Sequence, residues 1–397
     1  MGMKRIAPLI SGLIIYLFAG LIYGWSIFVA PLETEFGWSR TQTSTTFTIS
    51  MIFFCLGGLA SGFILKKKSP RFIMIIAAIL LFIGFAGASR IDSLVGLYIT
   101  YGVFCGSGVG LVYNSNISTV LKWFPDKVGF VSGLLLMCFG CGGMVLGSVA
   151  SALIADIGWR TTFFILAIGF AAIIIICSIW IKNPGRNTVF PKPKSSDKKK
   201  EEPGEDMNIG QMLRRKSFWL EFLWAVILGS AGLAVIGHAS VCAQDMGASI
   251  AVATLITGII SVCNGLGRII SGLVFDHFGR KVSAIVFNIT MAVAVLIMIA
   301  ATTASSIPLF FAGAVVLGIS YGSVPPILSV FTNLFYGAKN YALNYSAMTA
   351  NLIPASVLGP LVAGAVKTAT GSYTGVFILL LILVVLAYGL QLMIKRP

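Results

Sequence analysis

Arg268 is the one full charge set deep inside an apolar run of this 397-residue chain, the segment from Ile250 to Phe275. At the centre of a membrane helix a charge costs about 2.5–3.5 kcal/mol on insertion scales, so its presence points to a use. A guanidinium offers forked donors that match a carboxylate, and it stays protonated at any relevant pH. The chemistry on offer is therefore anion binding near the bilayer midplane; the alternative is a cation held by a neighbouring helix for structure alone. Asn264 lies one turn earlier on the same face, where its amide can meet a carboxylate oxygen, a hydroxyl or an interhelical partner. Two further residues are candidates to carry a proton. His238 titrates in the right range, and a half-buried Asp245 can be raised into it. They are seven positions apart, two turns on one face if the helix continues that far; against each stands the reading of a solvated or helix-end polar group. Glu221 follows Arg214, Arg215 and Lys216 and is read as an interfacial charge paired with that basic cluster.

Other chemistries find no support. The spacing Cys138-Phe-Gly-Cys141 resembles a redox or metal pair, but no second pair or nearby histidine accompanies it. The seven cysteines read as small packing residues. The glycine-dense stretches follow no strand and precede no Gly-Lys-Ser/Thr, so they form no phosphate loop. With no nucleotide site, metal cluster or nucleophile triad, neither an enzyme nor a cofactor is expected.

The elements that must position these residues follow from composition. The chain is 57% hydrophobic and 10% charged, against about 25% charged in a soluble domain. Apolar runs long enough to span ~30 Å of hydrocarbon recur from end to end. Segments such as Ile73–Ala88 and Val376–Met393 lack the period-two alternation of barrel strands. The expectation is an all-α polytopic membrane protein with twelve transmembrane helices. Four basic residues (Arg40, Arg90, Arg160 and Lys367) fall on outer loops. The remaining lysines and arginines, Arg268 apart, fall on the inner side if the N-terminus is inside. By the positive-inside rule both termini are cytoplasmic. The net charge of +15 is thus a topology signal, and nucleic acid is not implied.

A Pro-, Lys- and Glu-rich stretch at 184–216 predicts a mobile cytoplasmic linker, with a short amphipathic helix near Ile209–Leu213. It separates six-helix bundles at 1–183 and 217–397. The halves repeat. Gly62-Phe-Ile-Leu-Lys-Lys-Lys-Ser-Pro-Arg71 is matched by Gly272-Leu-Val-Phe-Asp-His-Phe-Gly-Arg280-Lys281. Tyr113, ahead of Trp-Phe-Pro-Asp-Lys127, is matched by Tyr321, ahead of Phe-Tyr-Gly-Ala-Lys339. Tyr113 and Tyr321 are pseudo-equivalent, with hydroxyls that can face a cavity or pack in a helix interface. Duplicated units are the usual basis of secondary transporters, with the substrate between the halves.

Gly272-xxx-Asp276-xx-Gly279-Arg280-Lys281 resembles the loop signature of the major facilitator superfamily. The resemblance implies a latch in which the Asp accepts from a helix N-terminus and the Arg or Lys pins the loop. The N-terminal copy departs from it, with Lys66 in the Asp position and Ser69 in the second Gly position. Gly20-Leu-Ile-Tyr23-Gly24-Trp25 with Pro31, Gly108-Val-Gly-Leu-Val-Tyr113 and Asn264-Gly-Leu-Gly-Arg268 resemble the monocarboxylate transporter family, in its microbial branch with the oxalate/formate antiporters. Lys339-Asn-Tyr341 adds to them. The resemblance implies that Arg268 binds the carboxylate and that Tyr113 and Tyr321 line the substrate. Phe139 would set the cavity against a short alkyl chain or simply pack. Relatives carrying dicarboxylates are expected to have a lysine where this chain has Met348. A dianion on one arginine would leave charge uncompensated in low dielectric, which favours a monoanion such as lactate or pyruvate. Where the animal branch has an aspartate one turn before the arginine, this chain has Asn264, which cannot carry a proton.

The expected function is alternating-access transport of a short monocarboxylate with a proton. The expected setting is the plasma (inner) membrane, with the chain acting as a monomer in the lipid bilayer. The alternatives are an oxalate/formate-type antiporter, against which Met348 argues, and a non-transporting membrane sensor of the same fold.

Overall fold

The computed structural model describes residues 3–185 and 205–395, and their regular structure is helical. Ten helices are long and apolar enough to cross a membrane. Two of them, Val128–Ser178 and Ile250–Thr303, are far too long for one crossing: 51 residues would run roughly 76 Å at 1.5 Å per residue. Each contains a glycine in left-handed backbone, Gly158 (φ 77°, ψ 162°) and Gly279 (φ 77°, ψ 179°), where the chain turns back. Split there, the ten become twelve spans. The first to fourth are Arg5–Gly24, Thr45–Ile64, Pro70–Ala88 and Leu94–Trp123. The fifth and sixth flank Gly158. The seventh is Lys216–Asp245, and the eighth and ninth flank Gly279. The last three are Ile307–Tyr336, Tyr341–Thr370 and Tyr373–Met393. Large apolar side chains such as Leu361, Val385 and Leu392 stay exposed on the outer faces, as a lipid solvent allows.

The chain forms two compact units. One holds the described residues before the linker together with Asn340–Ala347; the other holds 205–339 and the residues from Met348 onward. In the first unit, helices touch backbone to backbone through glycine. Any Cβ at Gly106 would strike Ser50, and one at Gly110 would strike Phe54, so the second and fourth helices interlock; Gly20 and Gly142 do the same for the first and fifth. Small residues at such crossings replace the hydrophobic drive that lipid removes. At the linker-side end Arg5 pairs with Asp126, donates to the Trp123 carbonyl at 2.6 Å and lies over Phe124. At the opposite end Glu35 accepts from the Trp159 indole at 2.6 Å and from Arg160 at 2.9 Å.

The two loop copies reach the same turn by different means. Gly279 uses left-handed backbone. Ser69 stays extended (φ −72°, ψ 155°), and its hydroxyl caps the third helix by accepting from Phe72 N, with Pro70 in the first turn.

In the second unit the expected short helix is found at Ile209–Leu213, capped by Asn208 with Gln211 reaching back. Met207 N donates to the Tyr336 carbonyl at 3.1 Å, and Lys339 N donates to Asp206 at 2.9 Å. The late part of the linker is thus stitched to the end of the tenth helix, whereas a mobile segment was expected throughout; the earlier part, residues 186–204, lies outside the described residues. The tenth helix breaks between Gly322 and Val324, ahead of Pro325 and Pro326, and the eleventh breaks between Thr349 and Leu352, ahead of Pro354. Trp224 donates to Asn288, which donates to the Val384 carbonyl, tying the seventh, ninth and twelfth helices.

Candidate functional site

Arg268 and Asn264 are 7% and 8% exposed, buried on one face of the eighth helix, one turn apart. Their placement is set by glycine. A Cβ at Gly267 would meet the backbone of Ile319, with the carbonyl carbon at 2.8 Å and Cα at 2.9 Å. Gly318 and Gly322 press in the same way on Ile260 and Asn264. The eighth and tenth helices therefore touch along their backbones over the stretch that carries Asn264, Arg268 and Tyr321. Tyr321 follows the same logic, its half-buried ring lying directly over Gly232 of the seventh helix. The structure brings three predicted residues of the second unit into one neighbourhood. Met348 is fully buried and supplies no cation.

In the first unit Tyr113 and Phe139 sit together, with ring centroids 4.9 Å apart in an edge-on contact. Two tyrosines overlooked in the sequence join them. Tyr16 stacks on Tyr113 at 5.3 Å and donates to its carbonyl at 2.6 Å. Tyr345 shares a 3.0 Å hydrogen bond with the Tyr113 hydroxyl. Phe139 is 2% exposed and packed edge-on against Tyr16 and Tyr23 as well. Nothing in composition separates Tyr16 and Tyr345 from the other aromatics of apolar helices. Their hydroxyls, which need partners when buried, are the only signal.

The proton candidates lie elsewhere in the second unit. The seventh helix does continue to Asp245, so His238 and Asp245 share a helix as expected. Asp245 is half-exposed and held by Lys367 at 2.7 Å. His238 contacts the Tyr373 hydroxyl through Nδ1 and the Pro360 carbonyl through Nε2, both at 3.2 Å. A carbonyl only accepts, so Nε2 carries the hydrogen.

One expectation fails outright. Glu221 is not an interfacial partner of Arg214, Arg215 and Lys216; it is fully buried. Its Oε2 accepts from Gln391 Nε2 at 2.9 Å, and Gln391 Oε1 accepts from Arg280 at 3.3 Å. The seventh helix turns this position inward, away from the basic residues at its start.

Of the latch residues, Gly272 is buried, Asp276 is exposed and Gly279 makes the turn. Arg280 is buried at 4% exposure, with its guanidinium 5.0 Å from the Phe335 ring centroid and 5.8 Å from that of Phe331.

Comparison with known proteins places this arrangement. The sequence profile of the Major Facilitator Superfamily matches residues 12–241 and 224–397. The oxalate:formate antiporter of Oxalobacter formigenes is 26% identical over 371 residues, covering 92% of this chain and 85% of its own. Monocarboxylate transporter 12 of Rattus norvegicus is 30% identical over 156 residues, 38% of this chain and 31% of its own. A solved structure of a proton:xylose symporter superposes with a TM-score of 0.71 at 16% identity, covering 99% of this chain and 95% of that one.

Proposed function

Because the chain belongs to the Major Facilitator Superfamily, we propose that this multi-pass transporter moves a short monocarboxylate, of lactate or pyruvate size, by alternating access together with a proton. The observation that carries the reading is Arg268, a guanidinium buried in an apolar helix and fixed by the glycine-lined contact with the tenth helix. A permanent cation held in low dielectric favours a small anion as its counter-charge. Its fork takes one carboxylate. Asn264 and Tyr321 shape the same neighbourhood, and Tyr113 and Phe139 are the aromatic contribution of the N-terminal half. Gly272, Asp276, Gly279 and Arg280 serve as the conformational latch. The buried thioether of Met348, where a second cation would be needed for a dianion, supports a single negative charge. His238 and Asp245 are the proton carriers suggested by sequence. The inner membrane, with both termini cytoplasmic, is the setting that the basic loops support.

A second reading, anion exchange, is favoured by one observation: similarity to the oxalate:formate antiporter extends over 92% of the chain. Reconstitution in liposomes with an imposed pH gradient separates the two. The proposal expects labelled lactate or pyruvate to accumulate against its gradient when the outside is acidic, and labelled oxalate to be excluded. Flux that needs a counter-substrate and ignores the pH gradient replaces symport with exchange. Failure to move any carboxylate overturns both readings.

A further inference from the structure

Glu221 has no role in the site described above, yet it is the one acidic side chain among the described residues that is fully buried. Its Oε1 is buried with no hydrogen-bond partner among those residues, while Oε2 accepts from Gln391. An ionised carboxylate left half-satisfied in an apolar interior is costly, and the cost is lifted when the group takes up a proton.

The surroundings give that proton a consequence. Arg280 has only donors, so Gln391 must turn its oxygen to the guanidinium and its amide hydrogens to Glu221. The three side chains form a directional chain, Arg280 to Gln391 to Glu221, across the starts of the ninth and seventh helices and the end of the twelfth. Tyr336, from the end of the tenth helix, is close enough to Glu221 to interact electrostatically; its hydroxyl pairs with Ser217 at 2.9 Å, and Arg215 and Arg280 act on it too. Arg280 is the cation that acts on the carboxylate. Each of these groups sits at the end of the unit to which the linker joins.

We propose that Glu221 is a proton-binding site, and that its protonation loosens the hold of Gln391 on Arg280 beside the loop turn at Gly279. The step is a simple addition. A hydronium ion gives its proton to a carboxylate oxygen, one of its O–H bonds breaking as the carboxyl O–H forms and water leaving, and the Glu221–Arg280 pair passes from zero net charge to plus one. A proton on Oε2 weakens it as an acceptor and adds a donor facing the amide hydrogens of Gln391. The amide then reverses and presents donors to Arg280, which has no acceptor to offer. The charge balance also fits coupled transport. Among the described residues the buried charges of this unit are Arg268, Arg280 and Glu221, plus one in sum when empty. A monoanion alone brings the sum to zero, and a monoanion with a proton on Glu221 restores plus one. Loaded and empty carriers then present the same buried charge. His238 and Asp245 sit at the far end of the helix, with both ring nitrogens engaged in the one case and a lysine partner in the other.

This inference rests on the proton-coupled reading given above, and the test separates the two. Full-length wild type, Glu221→Gln and Glu221→Asp are reconstituted in liposomes, and labelled lactate is followed in pH-gradient-driven accumulation and in counterflow across a range of pH. Glu221→Gln is expected to lose at least tenfold in accumulation and less than threefold in counterflow, with the pH dependence of counterflow flattened. Glu221→Asp is expected to keep a pH-dependent profile. A wild type that accumulates lactate alongside a Glu221→Gln variant that does so equally overturns this inference alone. Equal loss in both assays with an unchanged pH profile also overturns it, since that marks a structural role. A wild type that exchanges lactate without responding to the gradient overturns the symport reading, and this inference with it. Should Glu221→Gln not fold, the aspartate variant decides, because a pH-independent counterflow profile in a variant that keeps the carboxylate contradicts a proton site at this position.

Discussion

Replacing Gly267 by alanine tests whether the contact between the eighth and tenth helices is what places Arg268. The added methyl would press hardest on the carbonyl oxygen of Ile319, with the carbonyl carbon at 2.8 Å and Cα at 2.9 Å. Moving that carbon out to ordinary contact at about 3.4 Å requires the helices to part by at least ~0.6 Å, and the atoms in the way are backbone, which cannot swing aside. Overpacking of this kind costs about 1–3 kcal/mol, partly offset by up to ~1 kcal/mol of better helix propensity for alanine over glycine. Gly258, about two and a half turns earlier in the same helix, has nothing within 4 Å of its would-be Cβ, so there alanine brings the propensity gain alone. The two substitutions should move the thermal unfolding midpoint of the purified protein in opposite directions, down for Gly267→Ala and up for Gly258→Ala. Transport should separate them further. A shift of this order at a binding arginine costs roughly tenfold or more, whereas Gly258→Ala should stay within about twofold. If Gly267→Ala keeps both wild-type stability and wild-type lactate uptake, the glycine contact does not set the position of Arg268.

Two further outcomes follow from local structure. Gly279→Ala places a side chain at φ 77°, ψ 179° with open space around it, so its cost is backbone strain alone, about 1–3 kcal/mol; thermal unfolding should show a lowered midpoint, whereas Ser69→Gly in the other copy should cost only a few tenths of a kcal/mol. The Trp159 indole and then Arg160 hold the Glu35 carboxyl below the 4.5 of a free glutamate. A lowered value means that the stabilisation is present above about 4.5 and is lost as pH falls through the folded-state value, so unfolding scans below pH 4.5 should show a destabilisation that Glu35→Gln lacks.

What could be read directly from the chain was what the bilayer dictates. Twelve spans, the duplicated half and the turn at Gly279 follow from a fixed hydrocarbon thickness and from the residue type that most readily adopts positive φ. Arg268 and Asn264 were legible as a pair because they fall one turn apart, and helix periodicity alone places them on a common face. Glu221 was not, because three basic residues just before it offered a nearer explanation than Gln391, 170 positions away. The engagement of Asp245 was not legible either: its partner Lys367 lies 122 positions on, and nothing local marks it. The aromatic group around Tyr113 was half legible. Tyr113 showed itself through the repeat, while Tyr16 and Tyr345 join it only through folding, in the latter case from the start of the eleventh helix. Local period and composition decide which face turns inward; they do not decide which distant polar groups meet there.

The central claim is that the fork of Arg268 holds the carboxylate, and the direct measurement is labelled lactate and pyruvate uptake by wild type and Arg268→Lys in liposomes, with counterflow measured in parallel. Lysine keeps the charge but replaces two parallel donors with a point charge. Losing a charge-assisted hydrogen bond costs about 1.5–3 kcal/mol, so uptake should fall by roughly tenfold or more in both assays while the protein remains folded. Near-normal uptake by Arg268→Lys would contradict the assignment and leave Arg268 as a structural cation.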